Sequence, residues 1–258
     1  MQQRESMAVN EEPNSTQIWA MPPVVKPETD VDLVDVPQRR NGSYYLVKAS
    51  ENLLATSRTA HGTIDTGAST TKAAAMEIGG GEQVVDLARE NFVGAISLAY
   101  ENKNRLFSDP NELRVFVEQV ASLINRGIVK EGMLVRGGED SVKYPHTRIA
   151  DLPAAMEGFY DKFYAKISDP STDPIETAAF AEYNIDLSGH FFADGCGKTA
   201  KAISAFVLMR SDYPLPTYRG GRDAYYAHAP RRIAGVDSEI DQVEYDNFVN
   251  YYKTLFEK

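Results

Sequence analysis

The residues best equipped for chemistry lie in one short run, His190-Phe191-Phe192-Ala193-Asp194-Gly195-Cys196-Gly197-Lys198-Thr199-Ala200-Lys201. It combines an imidazole, a carboxylate, a glycine on either side of a cysteine, and a pair of lysines. A neutral imidazole, with an ordinary pKa near ~6.5, takes a proton from a hydroxyl at physiological pH, so His190 is the candidate general base. Asp194 is the candidate Mg²⁺ ligand, because magnesium on a nucleotide uses few carboxylates and takes its other oxygens from phosphate and water. Gly195, Cys196 and Gly197 offer backbone N–H groups, and the glycines permit close backbone approach to a phosphate. Lys198 and Lys201 share a helical face and would neutralise phosphate charge, with Lys198 grouped with His190 as catalytic. Each reading has a plainer counterpart: a histidine at a helix end, an aspartate N-cap, a tight turn without ligand, solvated lysines. Cys196 stands between a reactive thiol served by His190 and a small side chain that fills space. Phe191 and Phe192 read as core.

The flanking elements decide what such a run can bind. Asp173-Pro174-Ile175-Glu176 opens a helix with an N-cap acid, a first-position proline and a reciprocating glutamate. That helix carries Ile175, Phe180, Tyr183 and Leu187, and Gly189 closes it. Ala200 to Met209 is apolar on nearly every side, which predicts a buried helix. The loop therefore opens onto the N-terminus of a core helix, where unpaired N–H groups and the helix dipole favour an anion. A P-loop reading of Gly197-Lys198-Thr199 fails, because Phe192 stands where that motif needs glycine and a helix, not a strand, leads in.

Along the chain, residues 1–82 read as an extended or partly disordered arm, rich in proline, acid and small polar residues, with a strand-like run at Ser43–Val47 and one helical turn at Thr71–Glu77. Residues 83–258 read as one mainly helical domain. Helical spacing covers about Gln83 to Asn102. The next helix opens on Asp109-Pro110-Asn111-Glu112 and stops at Gly127. Met133–Arg136, Gly137-Gly138-Glu139-Asp140 and Ser141–Tyr144 read as a β-hairpin around a glycine turn. Asp151 opens a further amphipathic helix with Met156, Phe159, Tyr160, Phe163, Tyr164 and Ile167, and later helices are predicted at Arg222–His228 and Asp237–Glu257.

Composition bounds the partners. The 258 residues suit one sizeable domain with an appendage, and a net charge of −10 argues against nucleic-acid binding. The single cysteine precludes an internal disulfide framework and suits a reducing cytoplasm, although a secreted effector is compatible as well. No stretch approaches the ~20 apolar residues of a membrane span, and the N-terminus lacks the apolar core of a signal peptide. No membrane partner is expected, and composition leaves an oligomer open.

The run at His190 resembles the signature of the Fic (Fic/Doc) family, His-Pro-Phe-x-Asp/Glu-Gly-Asn-Gly-Arg-x-x-Arg. His190, Phe192, Asp194, Gly195 and Gly197 match in register. Phe191 replaces the proline, Cys196 the asparagine, and Lys198 and Lys201 the arginines. Upstream, Ser97-Leu98-Ala99-Tyr100-Glu101-Asn102 resembles the family's inhibitory Ser/Thr-x-x-x-Glu-Gly/Asn pattern. The resemblance covers roughly Gln83 onward and implies a mainly α helical bundle with a β-hairpin flap. It implies ATP as substrate, Mg²⁺ as cofactor, and AMP transfer to a Ser, Thr or Tyr hydroxyl. The acceptor would be a protein docked along the flap, through Leu134, Val135, Arg136, Val142, Lys143 and Tyr144. It further implies Tyr225 and Tyr226 near the nucleotide base, and restraint through Ser97, Glu101 and Asn102, with Glu101 meeting Lys201. The replaced residues keep other outcomes open: transfer of another phosphate-containing group, a small-molecule acceptor, or a degenerate fold that binds and regulates without turnover.

Overall fold

The structure, a computed structural model, describes residues 53, 81–129, 132–137, 144–218, 221–233 and 238–256. The arm of residues 1–82, apart from 53 and 81–82, lies outside the described residues, as do its strand-like run and helical turn. All the described elements belong to one compact unit, Asp35–Lys258.

Helices build it: α1 (Gly81–Glu101), α2 (Pro110–Asn125), α3 (Leu152–Ser168), α4 (Pro174–Glu182), α5 (Cys196–Arg210), α6 (Gly221–Tyr226) and α7 (Ser238–Thr254). Their starts follow from short-range chemistry. Asp109 caps α2 by accepting the Glu112 N–H (2.9 Å), with Pro110 in the first turn. Asp173 does the same for α4 through the Ile175 N–H (2.8 Å), followed by Pro174. Both arrangements satisfy donors that a helix start leaves over, and proline there forfeits nothing. Asn91 of α1 serves the other end of α2, donating to the carbonyls of Ile124 (3.2 Å) and Arg126 (2.7 Å).

α5 runs through the core. Thr199 to Met209 are all buried, as the apolar run predicts. Around it pack Phe92 and Ile96 from α1, Phe116 and Val120 from α2, Phe163 from α3 and Phe248 and Tyr252 from α7, all buried in one cluster. Phe159 of α3 stacks on Phe180 of α4 (5.7 Å, 15°) and meets Phe191 of the signature run (5.3 Å). Each such buried ring contributes about 1.5–3 kcal/mol, so the run before α5 is anchored by packing before any ligand arrives. Phe191 and Phe192 are thus core residues, at 1% and 0% exposure.

Between α4 and the signature run the backbone widens into a π-helical turn, Tyr183–Ser188, closed by Gly189. Such turns are rare, and they re-aim the chain beyond them.

The predicted hairpin is corrected. Among the described residues there is no β-strand; the β pairing present is an isolated antiparallel bridge between Val135 and Phe192. The backbone of residues 134–136 bonds to the signature run: Arg136 N–H donates to Phe191 O (3.0 Å), and Ala193 N–H donates to Leu134 O (2.9 Å). Tyr144 turns its hydroxyl toward His190. Val142 and Lys143 lie outside the described residues. Docking of a protein segment on a flap edge falls with the hairpin, because among the described residues no pair of strands forms a flap. Among the described residues the fold class is a mainly α bundle without that flap.

Candidate active site

His190 leaves the π turn with φ 48°, a left-handed conformation that costs a non-glycine residue about 1–3 kcal/mol. Arg136 holds it there. Its guanidinium is 4% exposed and donates from Nε to His190 O (2.8 Å) and from Nη2 to the carbonyls of Thr147 and Gly189. Gly189 is required at its position: a Cβ would fall 2.1 Å from the Phe191 ring and 2.3 Å from Asn184 O.

The ring of His190 is oriented from its own turn. Nδ1 lies 3.1 Å from Asp186 O and 3.4 Å from the Tyr144 hydroxyl. A carbonyl oxygen only accepts, so Nδ1 carries the proton and Nε2 is the nitrogen able to take one. Tyr144 in turn donates to Asp186 O (3.3 Å) and stacks on Tyr226 (5.5 Å, 26°). His146 packs 5.3 Å from the His190 ring, with its Nδ1 3.1 Å from Tyr144 O. A base of fixed tautomer therefore sits among aromatic rings and half-buried side chains.

Beyond it, Ala193 and Asp194 lead to α5. The Asp194 carboxylate accepts the Gly195 N–H (2.6 Å). Gly195 adopts φ +68°, and a Cβ there would lie 2.8 Å from Ile124 Cγ2 and 2.9 Å from Asn125 Oδ1. Asn125, 4% exposed at the end of α2, donates to Asp194 O (3.0 Å) and fixes the turn from outside. Cys196 closes it from within: its Sγ accepts the Phe192 N–H (3.3 Å) and its S–H donates to Phe192 O (3.2 Å). At 3% exposure that thiol is a packing and turn-closing group, which removes the nucleophile reading. The first α5 ladder bond runs from Thr199 N–H to Gly195 O (2.8 Å), so the N–H groups before Thr199 lie outside the helix's own ladder. Lys198 is half-buried on that first turn.

Among the described residues no group of His, Cys, Asp and Glu could hold a metal by itself. Asp194 at the helix start fits magnesium, which brings phosphate and water oxygens as its remaining ligands. Asp186 lies close by. Its carboxylate is 1% exposed, and Oδ2 comes within 3.1 Å of where a Gly197 Cβ would stand.

Lys201 is placed elsewhere. Its side chain is 3% exposed, and Nζ lies 3.1 Å from the Glu182 carboxylate, which is fully buried. Tyr218 donates its hydroxyl toward both Glu182 oxygens (2.7 Å each), and Nζ sits 3.8 Å from the centre of the Tyr225 ring. Tyr225 is itself fully buried, and its face lies against Lys201. Burial, then the Glu182 charge, pushes the Tyr218 and Tyr225 phenols well above their ordinary range. Glu101 is exposed at the end of α1, and among the described residues no ion pair joins it to Lys201. Ser97 and Asn102 bond back to their own helix, to Val93 O (3.0 Å) and Leu98 O (2.8 Å). The expected Glu101–Lys201 pair is replaced by Glu182–Lys201.

Several contributors were invisible as site residues in the sequence. Asp186 carried one signal, an acid four residues before His190. Glu182 carried another, an acid inside an otherwise apolar helix. Asn125 carried none, and Arg136, read as a flap residue, carried none for the carbonyls it bonds, since each acts on a backbone group far away in sequence.

No family profile matches the chain. A segment is 43% identical over 67 residues to protein adenylyltransferase fic-1 of Caenorhabditis elegans, and equally to that of Caenorhabditis briggsae. The match spans 24% of this chain and 13% of the length of each relative. In three dimensions the chain is similar to the crystal structure of a Fic domain-containing signaling protein from Bacteroides thetaiotaomicron. The TM-score is 0.57 at 17% identity, over 83% of this chain and 84% of that one. The fold is Fic-like. The sequence likeness is confined to 67 residues, and the likeness that spans most of the chain is one of fold. In a Fic-like frame, the run His190–Lys201 is the loop-and-helix start between α4 and α5.

Proposed function

We propose that this Fic-like protein is a nucleotidyltransferase that moves AMP from Mg²⁺-bound ATP to a hydroxyl, most simply that of a Ser, Thr or Tyr. The carrying observation is the His190 ring, whose Nδ1 proton is committed to Asp186 O (3.1 Å), making Nε2 the basic nitrogen. Nε2 removes the acceptor's proton as its oxygen attacks the α-phosphorus. The bond from that phosphorus to the bridging oxygen breaks, and pyrophosphate departs. The N–H groups at the start of α5 and the Lys198 ammonium hold the growing charge on the phosphate oxygens. Asp194 would hold magnesium, which when bound supplies charge neutralisation on the phosphates. Glu101 has no place in this reading, because Lys201 is already matched by Glu182.

The test is incubation of the full chain with Mg²⁺ and ATP labelled at the α- or the γ-phosphate, scoring label on the protein itself and on cell lysate. Label from the α-position is expected, with a loss of at least about 10²-fold in His190→Ala. Label from the γ-position alone would mean phosphotransfer. Tight nucleotide binding with no label from either position would mean a binding module.

A further inference from the structure

Glu182 closes α4 and Asp186 lies in the π turn that follows, at 0% and 1% exposure. Glu182 is fully matched: the Lys201 ammonium lies 3.1 Å away and the Tyr218 hydroxyl 2.7 Å from each oxygen. Asp186 is not. Among the described residues one donor approaches its carboxylate, the Tyr226 hydroxyl, at 3.5 Å from Oδ2. An O–H group donates well to oxygen only at about 2.5–3.0 Å. Among the same residues no ammonium or guanidinium forms an ion pair with Asp186. A carboxylate withdrawn from water is costly until a cation or a full set of donors completes it, and such a group points to an ion that belongs there.

What the carboxylate faces identifies the ion. A Cβ at Gly197 would have Asp186 Oδ2 at 3.1 Å and Cγ and Oδ1 at 3.5 Å as its nearest neighbours. Glycine there makes room for this carboxylate against the first turn of α5, where the N–H groups that receive phosphate lie in the reading above. A bare phosphate at that turn meets a like charge at short range. A divalent cation reverses the sign, since magnesium takes one or two carboxylates together with phosphate oxygens. We propose that Asp186 is a second magnesium ligand, outside the signature run, and that with Asp194 it makes nucleotide binding depend on the metal. This role rests on the nucleotidyltransferase reading above. One residue then serves both halves of the site: its carbonyl accepts from His190 Nδ1 (3.1 Å) and its carboxylate holds the metal.

The test is calorimetric titration of the full chain with α,β-methylene-ATP, whose bridging carbon does not leave, in Mg²⁺ and in EDTA. Wild type is expected to bind at least about thirty-fold more tightly in Mg²⁺. Asp186→Asn should cut that ratio by about ten-fold or more. The ratio falls from both ends: binding in Mg²⁺ weakens with a ligand lost, and binding in EDTA tightens with a repelling charge gone. A residue that only supports the fold would not tighten binding. The amide keeps the carboxylate's shape, so the variant should melt in EDTA at or above the wild-type temperature. A wild-type ratio under about three-fold, or a ratio unchanged in Asp186→Asn, overturns the proposal. So does a variant that melts lower in EDTA or fails to fold, which would give Asp186 a counter-ion from this chain. No nucleotide binding by wild type in either medium would defeat the nucleotidyltransferase reading and this role together. Dependence on Mg²⁺ that Asp186→Asn abolishes, without transfer of α-label, would defeat catalysis and leave the metal role standing.

Discussion

Arg136 bears on His190 through backbone alone. Its guanidinium bonds the carbonyls of His190, Gly189 and Thr147, and by doing so keeps His190 at φ 48°. Lysine offers a point charge where the guanidinium offers a planar fork, so it cannot reach three carbonyls from one place. Arg136→Lys should therefore lower kcat by about 10²-fold, the scale of an ångström-sized misplacement, while leaving KM for the nucleotide nearly unchanged. Arg136→Met should do the same with a larger loss of stability, since it leaves buried carbonyls unsatisfied. Steady-state kinetics decide it: a raised KM at constant kcat would place Arg136 in nucleotide binding instead. The same scale explains Cys196. The family's asparagine position is taken by a thiol that bonds both polar groups of Phe192, so the turn closes without an amide.

At the scale of elements, the start of α2 carries a titration. Glu112 accepts from the Arg105 guanidinium (2.8 Å), the Ser108 N–H (2.8 Å) and the Ser108 hydroxyl (3.0 Å). The Arg105 bond chiefly, then those from Ser108, lower its pKa from an ordinary 4.5 to about 2. A lowered folded-state pKa means that the unfolded chain binds the proton more readily. The contribution to stability is therefore complete above the ordinary value and fades as pH falls toward the folded one. Thermal unfolding of wild type and Glu112→Gln should differ near neutral pH and converge between pH 4.5 and about 2. A constant difference across that window would show that Glu112 acts by shape and not by charge. This element was legible in the sequence because a cap is local: Asp109, Pro110 and Glu112 lie within one turn. The same holds for α4 and for the buried run of α5. The π turn and the bonds of residues 134–136 were not legible. The first has no compositional mark, and the second is a competition between two partners that local alternation cannot rank.

Across the whole unit, the signature residues divide into those facing the site and those holding the core. His190, Asp194 and Lys198 were read as chemistry from type and spacing, and the structure places them on the loop before α5 and on its first turn. Lys201 and Tyr225 were read as ligand groups because burial cannot be seen from spacing. The acid that neutralises Lys201 lies on a different helix, 19 residues away. That pair ties α4 to α5, and its neighbours extend the tie: Tyr218, Tyr225 of α6, and Tyr252 of α7, which reaches Ser204 (3.1 Å). Cutting one side of such a centre costs more than removing it. Glu182→Ala leaves a buried ammonium with only ring faces for company and should destabilise the fold by about 3–5 kcal/mol. The double variant Glu182→Gln/Lys201→Met exchanges the ion pair for a neutral amide and a thioether of similar length. It should lie within about 1–2 kcal/mol of wild type, because the desolvation penalty disappears with the attraction. Chemical denaturation followed by far-ultraviolet circular dichroism measures both. Equal losses in the single and double variants would mean that the pair's attraction, and not the stranding of a charge, dominates at this centre.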